Sequence, residues 1–168
     1  MSRDRLGVVW AGLALIGLGI TFLFAQWIGW DRIWPIFPLF GGLAFWGGYV
    51  ASGFREPGLA FVGTGAILVG LFFFGFSLGY WEWAQMSDLW PAFLLIGGVS
   101  FVVLFVAERA RDLGTLGVGC AAIIAGLAAF GVTLGFLGSE IWRLWPLLLI
   151  FLGLVGLANV LWRFIRRE

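Results

Sequence analysis

Histidine and lysine are absent from this chain of 168 residues, cysteine occurs once, methionine twice, and charged residues make up only 11%. Each shortage removes a class of function. Without histidine there is no imidazole to act as a general base, to bind zinc, or to ligate haem or a chlorophyll-type pigment. Cys120 and two methionines are too few soft ligands for a transition-metal site, so no metal and no resident cofactor are expected. A single cysteine also excludes an internal disulfide, and Cys120 reads as a small apolar residue within a helix. Serine and threonine hydroxyls lack the His or Lys that would activate them, so the chain is expected not to be an enzyme. Ten arginines against nine acidic residues leave a net charge of +1, which gives no support to nucleic-acid binding.

What is abundant is apolar: 62% of the residues are hydrophobic and the mean hydropathy is +1.05. A soluble domain carries about 25% charged residues. Here the charges form short clusters, separated by six charge-free stretches at approximately 7–26, 35–54, 59–79, 91–107, 113–136 and 146–162. Each is long enough to cross a hydrocarbon core of about 30 Å at about 1.5 Å per residue. The expected fold is an all-α integral membrane protein with six transmembrane helices. "MSRDR" before an apolar run resembles a signal peptide, but "FLFAQW" offers no small-x-small cleavage site, so the first span is expected to be retained. No span contains a charged residue, and Asn159 is the one amide of the last span, which argues against an ion-coupled carrier.

The arginines orient the chain. Arg3, Arg5, Arg55, Arg109, Arg111, Arg163, Arg166 and Arg167 share one side, whereas Arg32 and Arg143 stand on the other. Retention of positive charge in the cytoplasm is expected to place both termini there. The "ERARD" cluster, Glu108 to Asp112, reads as a solvated loop with local ion pairs. "RFIRRE" reads as weakly attracted to anionic lipid headgroups.

A phrase recurs three times: "IWPIFPLFGG", "LWPAFLLIGG" and "LWPLLLIFLG". The Trp-Pro steps Trp34-Pro35, Trp90-Pro91 and Trp145-Pro146 are 56 and 55 residues apart, and Gly42, Gly98 and Gly153 each follow their Trp by eight. Upstream, "GITF", "GFSL" and "GVTL" begin at Gly19, Gly75 and Gly131. The chain therefore divides into three parallel hairpin repeats, 1–56, 57–112 and 113–168, each a rising helix, an outer turn and a returning helix. Proline suits a first helical turn because its missing N–H has no partner there. Tryptophan prefers the headgroup level, and eight of eleven lie in or beside the outer turns. Asp31, Asp88 and Glu140 precede the three steps and favour helix N-termini. Three hairpins admit a closed pseudo-threefold bundle or an open arc.

The 27 glycines read first as close-packing positions between helices, with a groove for lipid tails or a quinone as the alternative. Thr21, Ser77 and Thr133 occupy equivalent places and are expected to bond back to a carbonyl one turn earlier, or across to a neighbouring helix.

The stretch "GLAAFGVTLGFLGSEIWRLWPLLLIFLGLVGL", from Gly126 to Leu157, resembles the transmembrane region of the bacterial LiaI/LiaF-type membrane proteins. The chain is similar to three such hairpins in tandem, without the soluble β-rich domain that LiaF-type members carry after their helices. The resemblance implies sensing or regulation of envelope stress through integral-membrane protein partners. The alternative is a structural accessory subunit of a large respiratory or photosynthetic membrane complex, packing against lipids or quinone.

Overall fold

The computed structural model describes residues 3–165. The side chains of Trp142, Trp145 and Asn159 lie outside the described residues, as do Arg166, Arg167 and the side chains of Arg3, Arg5 and Arg163. Among the described residues every regular element is helical. The long helices are α1 (Arg3–Ile28), α3 (Ile36–Ala51), α4 (Pro57–Ser77), α6 (Ala92–Ala107), α7 (Leu113–Thr133) and α8 (Trp145–Ile165). Two one-turn helices, α2 (Trp30–Ile33) and α5 (Met86–Leu89), precede α3 and α6. Short 3-10 turns at Trp83–Gln85 and Ser139–Leu144 lead into α5 and α8.

Three helical stretches are long and apolar enough to cross a membrane: Trp30–Ala51, Pro57–Ser77 and Leu113–Thr133. A fourth follows if Trp83–Leu89 and Ala92–Ala107, which meet at 57°, are taken as one broken span. The described apolar parts of α1 and α8, Leu15–Ile28 and Leu149–Ala158, are shorter.

Local chemistry sets where these helices start and stop. Pro57 stands in the first turn of α4, where its missing N–H is harmless. Asp112 caps α7 by accepting the Gly114 N–H at 2.9 Å. Gly79 and Gly135 follow α4 and α7 with φ of 80° and 76°, and the chain closes each end with Tyr80 N–H to Gly75 O (2.9 Å) and Leu137 N–H to Gly131 O (2.7 Å). The first is a six-to-one closure and the second reaches one residue further; each turn needs a left-handed residue, and glycine supplies it without strain. Pro35 and Pro91, buried at φ −67° and −63°, do not start the chain out of an open loop. They join the one-turn helices to α3 and α6, so the outer turns bend rather than unwind.

The turns at 52–56 and 108–112 repeat one backbone path. Gly53 and Phe54 have φ of 69° and 61°; Arg109 and Ala110, 56 residues on, have 59° and 56°. Where the first turn uses a glycine, the second holds an arginine in the same left-handed conformation.

Long helices pack in chain order, α3 on α4, α4 on α6, α6 on α7 and α7 on α8, as an open row of antiparallel neighbours. Phe22 of α1 lies with its ring 5.1 Å from that of Trp30 on α2 and 6.4 Å from that of Phe37 on α3. The two closest seams are built by glycine. A Cβ on Gly42 would stand 2.7 Å from Gly63 O, and one on Gly63 2.9 Å from Gly42 O. The same reciprocal approach joins Gly98 and Gly119, at 2.9 and 3.1 Å.

Two stability predictions follow from these backbones. Gly42→Ala drives a methyl into backbone that cannot yield and should cost about 1–3 kcal/mol, whereas Gly41→Ala, with nothing within 4 Å of its added carbon, should cost nothing. Unfolding in mixed detergent and SDS micelles reads the difference. In the same assay Arg109→Gly should stabilise the protein by about 1 kcal/mol, because it removes a left-handed side-chain-bearing residue; a loss would mean that the turn is not held in this conformation.

Candidate functional site

The residues singled out by the repeated phrase fall into three environments. The first is the seam between a returning helix and the next rising one. Gly42 and Gly98 are both buried there, with their added carbons also blocked by the backbone N of Ile67 (2.8 Å) and Ile123 (2.9 Å). Gly70 and Gly126 extend the seams, under Leu39 and under Leu94 and Leu95. One polar bond crosses the first seam, from Trp46 Nε1 to Thr64 Oγ1 at 3.2 Å. In the second seam Val102 and Cys120 occupy the corresponding places, so the contact is wholly apolar. The partner glycines, Gly63 and Gly119, carry no phrase of their own. Their signal is the constant offset of 21 residues from Gly42 and Gly98.

The second environment is the Trp-bearing end. Pro35 and Pro91 are almost fully buried. Trp34 lies with its ring centroid 4.9 Å from Phe73 of α4, within an aromatic cluster that includes Phe72, Phe76, Trp81, Trp83 and Phe93. Trp90 is more exposed, at 40%. Gly75 and Gly131 sit beneath Trp81 and Leu137, the residues that fold back after each helix end. They make room for a turn side chain and not for a neighbouring helix. Gly19, their counterpart in α1, is exposed with nothing within 4 Å. Pro146 and Gly153 on α8 are also exposed, and Gly153 meets no neighbour among the described residues.

The hydroxyls divide. Thr21, 2% exposed, donates to Gly17 O at 2.8 Å, one turn back. Thr133 donates to Phe130 O at 3.3 Å. Ser77 Oγ is buried and has no hydrogen-bond partner among the described residues. Ser100, which no phrase marked, is 2% exposed and donates to Ile96 O at 2.8 Å between α4 and α6.

The third environment is two crevices. An apolar one of about 220 Å³ lies between α7 and α8, lined by Leu116, Gly117, Cys120, Phe151 and Val155 among others. A larger one, of about 580 Å³, spans the two Arg-bearing turns and is lined by Arg55, Arg109 and Arg111 with Glu108 and Asp112. Glu108 and Asp112 turn toward the first turn of α7, accepting from Thr115 Oγ1 (3.3 Å) and Gly114 N (2.9 Å). At the opposite end Arg143 and Glu140 pair at 2.8 Å in an exposed one-turn contact that contributes little. No group of three or more His, Cys, Asp or Glu stands close enough for a metal among the described residues.

Comparison with models of known protein families, with curated proteins and with solved structures finds no match for this chain. The site is therefore read from its geometry.

Ser77 gives a direct test of that geometry. A buried hydroxyl without a partner is a cost that alanine removes, so Ser77→Ala should hold or raise stability by about 1 kcal/mol. A clear loss on SDS unfolding would mean that its hydroxyl has a partner in the folded protein.

Proposed function

We propose that this chain is a non-catalytic, six-span bacterial inner-membrane protein made of three tandem hairpins. It acts through contacts with integral-membrane partners, in the manner of LiaI/LiaF-type envelope-stress regulators. The observation that carries the reading is where apolar surface remains. The glycine seams are used up within the row, yet its flanks stay open: Leu15, Ile16 and Leu23 on α1 and Leu147, Leu154 and Leu157 on α8 are each more than half exposed. In a bilayer such faces are at no cost against lipid and are available to a second membrane protein. Charged side chains gather in the turns between helices, and α3, α4, α6 and α7 contain none. That leaves helix–helix recognition as the chemistry this chain can offer within the bilayer.

The reading as an accessory subunit of a large complex keeps one specific support. Gly153 and Gly156 put small residues on an exposed face of α8, with nothing within 4 Å. Such a face admits the close approach of another helix, and the apolar crevice beside Cys120 suits a lipid tail or quinone.

Two measurements separate these readings and test the orientation. Extracted in mild detergent and run on a native gel with mass spectrometry, the protein should migrate as a small particle with substoichiometric membrane partners. Recovery in one large stoichiometric complex would establish the accessory-subunit reading instead. For orientation, a Cys120→Ser background carrying Ser52→Cys should resist an impermeant thiol reagent in intact cells. Gly138→Cys in the same background should react. The reverse pattern would invert the topology.

A further inference from the structure

The crevice spanning the two Arg-bearing turns is not needed for helix packing, yet it gathers half of the cationic side chains outside the termini. Arginines outside the first and last few residues number six, Arg32, Arg55, Arg109, Arg111, Arg143 and Arg163, and three of them line this one space of about 580 Å³. Two carboxylates line the same space and are outnumbered by the three arginines; each is drawn to the start of α7, Glu108 accepting from Thr115 and Asp112 from Gly114. Among the described residues, none of the three guanidinium groups forms a salt bridge with a carboxylate. All three residues are exposed at the mouth of the space.

The turn backbone fixes where one of the three stands. Arg109 is held at φ 59°, where the corresponding residue of the preceding turn is Gly53 at φ 69°. Left-handed backbone in a residue with a long side chain is tolerated where the surroundings fix it, and such outliers gather at ligand sites. Phe54, 55% exposed, forms part of the rim and is fixed edge-on against Tyr49 at 5.2 Å. An apolar ring beside three planar cations matches an amphiphile with an anionic head.

We propose that Arg55, Arg109 and Arg111 form a binding site for a phosphate-bearing anion, of which an anionic phospholipid headgroup is the form a membrane would supply. The guanidinium fork matches two oxygens of one phosphate, and its charge persists at every physiological pH. Basic pockets between helices at the cytoplasmic surface recognise lipid phosphate on this principle. The lipid form rests on the reading of these turns as facing a membrane surface; the anion site itself does not.

The test has two arms. In the first, the full chain is placed in nanodiscs of phosphatidylcholine with a minor share of phosphatidylglycerol, and native mass spectrometry follows which lipid stays bound. Phosphatidylglycerol should be retained preferentially. The triple variant Arg55→Gln, Arg109→Gln, Arg111→Gln should lose on the order of a hundredfold in that preference, and Arg109→Gly alone about fivefold. The glycine variant relieves a strained residue, so its loss cannot be ascribed to misfolding. In the second arm, inorganic phosphate is titrated into the protein in neutral detergent while its melting temperature is followed. Retention that falls with both variants assigns the site to lipid. An arginine-dependent rise in melting temperature, without lipid preference, assigns it to free phosphate. If neither arm depends on these arginines, the site is overturned. A chain that fails to enter nanodiscs yet binds phosphate through them keeps the site and loses the membrane reading.

Discussion

The inner helices of this row are brought together at two places where backbone meets backbone with no side chain between. At Gly42–Gly63 and at Gly98–Gly119 a Cβ added to either partner would stand 2.7–3.1 Å from the other's carbonyl oxygen. Lipid tails are as apolar as leucine, so burial of apolar surface does little to hold helices together in a bilayer. Close van der Waals contact does most of it. The two glycine pairs bring α3 to α4 and α6 to α7, and side chains then settle around them: Ile67 and Trp46 at one, Ile123, Phe101 and Val102 at the other. The contacts between α4 and α6 are of another kind, made by Phe61 against Phe101 and Phe72 against Phe93. From α3 to α7, glycine and aromatic seams thus alternate.

That alternation decides how each glycine of the repeated phrase is used. Position in the phrase and position in the fold coincide only where a neighbouring helix exists to fill the seam. Gly42 and Gly98 have one, whereas Gly153 ends the row and is exposed. The same logic separates Gly75 and Gly131 from Gly19, since only the first two have a residue of the turn folded over them. Equivalent sequence positions become inequivalent by virtue of where the row begins and ends.

The helices themselves were legible from charge-free length. The expected stretch at 91–107 falls on α6 (Ala92–Ala107), and that at 113–136 on α7 (Leu113–Thr133) with its end set by Gly135. Gly42 and Gly98 were legible as packing positions because the Trp-Pro step anchors them. Their partners were not, since Gly63 and Gly119 lie in glycine-rich helices where composition alone ranks no glycine above the next. The choice between a closed bundle and an open row lay beyond the sequence too, because it rests on which faces meet and not on what they contain. Pro35 and Pro91 were placed rightly at the start of a helix, but the one-turn helices ahead of them were hidden: four residues carry too little periodicity to register. The "ERARD" cluster reads by composition as charges balancing one another. In the fold Asp112 caps α7 by accepting the Gly114 N–H, and Glu108 accepts from the Thr115 hydroxyl, so both carboxylates are drawn to the start of that helix.

A row in which, among the described residues, each long helix packs chiefly on those beside it also has a thermodynamic character of its own. Its stability is a sum of local terms, one for each interface, in place of a single core that all helices share. Such an array has no central element whose loss collapses the whole. Opening can start at either margin and proceed one interface at a time, with α8 able to leave before the α6–α7 pair is disturbed. The molecule is thereby divided into a rigid interior and two separable edges, so that disturbance at an edge need not be transmitted to the middle.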